Sequence, residues 1–98
     1  MAKSIKAIQA DLDRIKEFYR KRRVLDDAQI ENFEEQLKLA CRYNRVLEHA
    51  PMELTELYYY AYIQGMPKSE INLYKWNISE KAFNRLFGKL RGYLRKWL

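Results

Sequence analysis

The sequence predicts an all-α fold: an N-terminal antiparallel helical hairpin over residues 1–49, then a C-terminal trihelical helix-turn-helix over 50–98, packed as one compact unit. Three observations carry this expectation. The 98 residues hold only 3 Gly and 2 Pro, too few breakers for short strands with a turn every 8–12 residues. Apolar residues recur at steps of three and four, the spacing that keeps side chains on one helical face. Hydrophobic residues make up 48% of the chain and charged residues 33%, a balance that excludes a disordered polar chain. At this length roughly 60–65% of the unfolded surface is buried on folding, enough for one core.

Residues 4–24 set Ile5, Ile8, Leu12, Ile15 and Tyr19 on one face of a first helix. Asp26 and Asp27 break that pattern and suit the cap of a second helix running to about His49. Glu31, Glu34 and Glu35 stand near its positive N-terminal end, Arg42 and Arg45 near its C-terminal end. Its apolar side is read as Ile30, Phe33, Leu37, Ala40, Cys41 and Leu47, with Cys41 serving as a small hydrophobe. Two helices of roughly 30 Å joined by a short link are expected to fold back on each other.

Pro51 suits a first helical turn, where its missing N–H costs nothing. Residues 52–64 are apolar on more than one side, which predicts a helix covered on two faces. Gly65 ends it, and Pro67 starts a short helix through Tyr74. Asn77 suits a left-handed turn, and Ser79 the N-cap of a final helix with Glu80 in its first turn. In that helix Phe83, Leu86, Phe87, Leu90, Tyr93, Leu94 and Trp97 fall within an arc of about 120°. Lys81, Asn84, Arg85, Lys89, Arg91, Arg95 and Lys96 take the other side, with Gly88 and Gly92 among them. Each glycine costs a helix about 1 kcal/mol relative to alanine. Either a phosphate backbone or another helix comes close there, or the helix bends or frays.

The net charge is +6, from 19 Lys+Arg against 13 Asp+Glu. Residues 79–98 carry six of those cations against Glu80 alone, and Arg20-Lys21-Arg22-Arg23 forms a second knot. Concentrated positive charge is the footprint of a polyanion partner. The second knot reads equally well as a DNA contact or as basic residues complementing a helix dipole. The cluster Tyr58, Tyr59, Tyr60 and Tyr62 fits half-buried rings with hydroxyls at the surface, or stacking on unpaired bases.

Little in the chain suggests catalysis. One cysteine, Cys41, and one histidine, His49, cannot supply the three or four ligands of a zinc site. His49 is read as a solvent-facing or capping residue, and no glycine-rich phosphate loop occurs. No enzymatic activity, metal or cofactor is expected. The opening Met1-Ala2-Lys3-Ser4 does not resemble a signal peptide, and no run approaches the ~18 apolar residues of a membrane span. A cytoplasmic protein without a membrane partner is expected.

A short helix, a tight turn and a longer basic helix form the order of a helix-turn-helix. Its core is expected from Ile71, Leu73 or Tyr74, Ile78, Phe83 and Phe87. Residues 52–95 resemble the C-terminal helix-turn-helix domain of bacterial sigma factors, the region-4-like domain that reads the upstream promoter element. The resemblance rests on Leu57, on Tyr62-Ile63-Gln64-Gly65-Met66-Pro67-Lys68-Ser69-Glu70-Ile71, and on Asn77-Ile78-Ser79-Glu80-Lys81-Ala82-Phe83-Asn84-Arg85-Leu86-Phe87. Small phage transcription activators of the ArpU and RinA type look similar. Asn72 stands where the family usually has alanine, and Phe83 where valine is usual. The first 49 residues carry no sigma-like segment for binding core polymerase.

The resemblance implies that Glu80, Lys81, Asn84 and Arg85 face base edges: Arg and Lys suit guanine, Asn adenine, and Glu accepts from cytosine. It assigns Lys68, Lys75, Lys89 and Arg91 to phosphates, which position a protein without reading sequence. The function expected is that of a phage-encoded, sequence-specific regulator of transcription, bound to double-stranded DNA as a homodimer. RNA polymerase is a further possible partner, and the N-terminal hairpin a dimerisation or docking element. Two other readings stay open: an adaptor or inhibitor that binds a host protein such as RNA polymerase, and the DNA-recognition small subunit of a packaging terminase.

Overall fold

The computed structural model describes residues 3–98; Met1 and Ala2 lie outside the described residues. Its elements are α1 (Ile5–Val24), α2 (Phe33–Leu47), α3 (Met52–Tyr58), α4 (Lys68–Ile71) and α5 (Glu80–Trp97), with no strand among the described residues. Ser4 caps α1, its hydroxyl accepting from the Ala7 N–H at 3.1 Å. Ile8, Leu12 and Ile15 of the predicted α1 stripe are buried and Tyr19 is half-buried, whereas Ile5 on the first turn is exposed and Phe18 takes a buried place that the stripe did not include.

The second helix starts later than the acidic pair suggests. Asp27–Gln29 form one 3-10 turn, closed by Gln29 Oε1 accepting from the Asp26 N–H at 2.9 Å. Ile30 then turns inward to 5% exposure, and Asn32 takes the left-handed conformation at φ +56°. Asparagine is one of the few residues that tolerates it, and α2 begins only at Phe33. Cys41 is exposed rather than part of the apolar stripe. Tyr43 occupies the buried side with Ala40 and Leu47, and its hydroxyl donates to Asp11 at 2.6 Å. Asp11 is the one buried charged residue among those described, held also by Lys3 Nζ at 2.5 Å. Burial, with Asp11 beside it, pushes the Tyr43 hydroxyl well above the ordinary tyrosine range.

Pro51 precedes α3 as expected. Beyond Tyr58 the helix widens into a π turn over Tyr59–Ile63, with the Gln64 N–H bonded to Tyr59 O at 2.9 Å. Gly65 ends the segment at φ +69°, where a β-carbon would be strained and would stand 3.1 Å from Arg23 Nη2. Polar contacts fix α3 to the first two helices: Tyr58 donates to Asn44 Oδ1 at 2.7 Å, and Asn44 Nδ2 donates to the Tyr19 hydroxyl at 3.1 Å. All five helices contribute to one cluster of buried residues running from Ile8 to Leu94. The apolar sides of α1 and α2 contribute to this core.

Candidate nucleic-acid interface

The chain leading into α5 is fixed by a small set of polar contacts. After α4 the backbone makes a second π turn, Asn72–Trp76, and Asn77 takes the left-handed conformation at φ +48°. Asn72 brackets this corner. Its Oδ1 accepts from the Ile78 N–H at 3.1 Å and its Nδ2 donates to Ile78 O at 2.7 Å. Ser79 then caps α5, its hydroxyl accepting from the Ala82 N–H at 3.2 Å. The asparagine that departs from the sigma-like pattern thus holds the entry of α5.

The π turn also corrects the expected core. In an α-helix the residue three beyond Ile71, Tyr74, would share its inward face, and Leu73 is the apolar neighbour expected as its alternative. With bonds reaching five residues the turn is wider, and Trp76 takes the inward place, its ring 5.8 Å from that of Phe83. Leu73 and Tyr74 are 75% and 71% exposed, and Ile78 is at the exposed margin with 38%. Ile71, Phe83 and Phe87 are buried as expected.

The final helix has two unlike sides. Phe83, Leu86, Phe87, Leu90 and Leu94 are buried, Tyr93 is half-buried, and Trp97 is 59% exposed, outside the apolar arc expected to contain it. The helix runs unbroken through Gly88 and Gly92, where an added β-carbon would meet nothing within 4 Å. Glu80, Lys81, Asn84 and Arg85 are all exposed on its first two turns. Among the described residues, no ion pair engages Lys81, Arg85 or Lys89.

The four residues read as phosphate contacts have different surroundings. Lys89 is exposed on α5. Lys68 is exposed and holds its ammonium 4.5 Å from the centre of the Phe87 ring. Lys75 pairs with Glu56 at 3.0 Å, and that carboxylate raises its pKa above the ordinary lysine value. Arg91 is half-buried and donates to Gln9 Oε1 at 3.2 Å. The basic knot on α1 is largely engaged too. Arg20 pairs with Glu17, Arg22 lies over the Phe18 and Phe33 rings, and Arg23 donates to Ile63 O at 2.8 Å. His49 is exposed at the end of α2.

A cleft of about 420 Å³ opens between α4 and the start of α5, lined by Lys68, Ser69, Asn72, Leu73, Glu80, Phe83 and Asn84. Leu73 is the member that sequence reasoning assigns elsewhere, because a π turn leaves no periodic mark in the apolar pattern. No helix among the described residues is long and apolar enough to cross a membrane. In comparison with known proteins, no family model matches the chain, and no curated protein or solved structure resembles it closely enough to count as a match.

Proposed function

We propose that this chain is a sequence-specific double-stranded-DNA-binding regulator of transcription with a helix-turn-helix at its C-terminal end and α5 as recognition helix. One observation carries the reading: α5 is seated by five buried side chains, while Glu80, Lys81, Asn84 and Arg85 on its first two turns are exposed. A major groove about 12 Å wide admits one helix, and its N-terminal residues meet the base edges. In this reading α3, α4 and α5 form the trihelical unit, and α1 and α2 an antiparallel hairpin supporting it. The hairpin is favoured by contacts at opposite ends: Phe18 near the close of α1 meets Phe33 at the start of α2, while Asp11 meets Tyr43. Arg85 and Lys81 would seek guanine, Asn84 adenine, and Glu80 cytosine. Lys89 and Lys68 are the freer phosphate contacts, whereas Lys75 and Arg91 would first have to leave Glu56 and Gln9. A homodimer on two half-sites would supply the specificity that one small module lacks. Phage origin and a contact with RNA polymerase belong to the same proposal, through the resemblance to the small activators.

A host-protein adaptor is the second reading, and the exposed Met52, Tyr59 and Tyr74 favour it. The two are separated by titrating duplex DNA against salt. A DNA reader loses affinity linearly on a log–log plot, with a slope of about −0.9 per phosphate neutralised. No binding even at low salt rejects the regulator and leaves the adaptor.

A further inference from the structure

We infer that Leu73 is a base-reading residue that recognises the C5 methyl group of a thymine in the major groove, beside the base met by Asn84. The inference deepens the DNA reading proposed above and rests on it. Leucine at 75% exposure on a structured turn is an apolar surface left unburied by the chain itself. Leu73 lines one cleft with Glu80 and Asn84, two of the four residues expected to meet base edges. The charge around that cleft selects its occupant: Lys68 stands on its α4 wall, and Lys81 and Arg85 follow on the exposed turns of α5, which suits a polyanion.

Asn72 and Phe83, although they line the same cleft, are already committed. Asn72 uses both ends of its amide on Ile78, and Phe83 is buried against Trp76 and Phe87. The groups left to face DNA are therefore the Lys68 ammonium and the Ser69 hydroxyl on the α4 side, and the Glu80 carboxylate, the Asn84 amide and the Leu73 methyls, of which Leu73 is the one aliphatic group. In the major groove thymine alone presents a methyl group, and adenine pairs its N7 acceptor with an N6 amine that an asparagine amide can bridge. An amide and an aliphatic side chain in one cleft thus match a step that contains an A·T pair and an adjoining thymine. The turn that exposes Leu73 is the one that Asn72 locks, so the leucine is held in position before DNA arrives.

The test uses duplexes selected by the intact chain from random sequence, with each thymine replaced in turn by deoxyuridine, which removes only the methyl group. At one or two thymines the replacement should weaken binding by about four-fold, the effect of one buried methyl. With Leu73→Ala, thymine and uracil at those positions should bind alike, and an unchanged melting temperature shows that this exposed substitution leaves the fold intact. Uracil replacements that are neutral everywhere, or a penalty that persists in Leu73→Ala, would overturn the assignment while leaving DNA binding standing. A chain that binds no duplex at any salt concentration overturns both the DNA reading and this one.

Discussion

Asn72 makes three hydrogen bonds within six residues: its backbone oxygen accepts from Asn77, and its side chain takes both the N–H and the C=O of Ile78. Each such bond adds about 1 kcal/mol when exchanged for water. Alanine, the residue usual at this position in the sigma-like pattern, cannot make the two side-chain bonds. Asn72→Ala should cost about 1–2 kcal/mol, seen in thermal unfolding as a melting temperature lower by roughly 4–8 °C per kcal/mol. An unchanged melting temperature would mean that the corner needs no bracket. Other residue-scale features were legible beforehand. Ser79 and Asn77 announce their conformations through their own chemistry, a hydroxyl for a cap and a side chain that tolerates positive φ. The Asp11–Tyr43 bond spans 32 positions, and no local rule links two such residues.

At the scale of elements, α1 and α5 were readable because each has a capping serine and a regular apolar stripe. The two π turns were not. Both shift the hydrogen-bond partner by one residue, and the second moves the inward position from Tyr74 to Trp76, without altering composition. The start of α2 moved for a similar reason, since a left-handed Asn32 competes with Asp26 as the point of entry. Of the candidate site, the exposed flank of α5 could be read from periodicity, whereas the engagement of Lys75 and Arg91 depends on side chains distant in sequence. Gly88 and Gly92 lie on that flank in open space, in a helix that continues unbroken through both. Gly88→Ala and Gly92→Ala should each raise stability by up to about 1 kcal/mol, measured by denaturant unfolding. Both should weaken duplex binding if a DNA backbone approaches the glycines. Increased stability with unchanged affinity would rule that approach out.

Across the whole molecule, α5 packs against α1, α2 and α3 at once, so it is seated by residues from the entire chain and not by the C-terminal half alone. Leu90 and Leu94 share one buried cluster with Ile8 and Leu12. That arrangement explains why the long helices at the N-terminus keep few apolar residues outward: their stripes hold α5 in place. It leaves the cationic side of α5 as a long exposed basic surface, with Lys81, Arg85 and Lys89 unpaired among the described residues. In the proposed function this surface divides into base-reading and backbone-contacting positions. That division is tested most directly by comparing Arg85→Ala and Lys89→Ala over a set of duplexes altered one base pair at a time. Arg85→Ala should cost about 1–3 kcal/mol and relax preference at one position, and Lys89→Ala should weaken all sequences alike and reduce the salt slope by about 1. Binding unchanged by either substitution would contradict the assignment of α5 as the recognition helix.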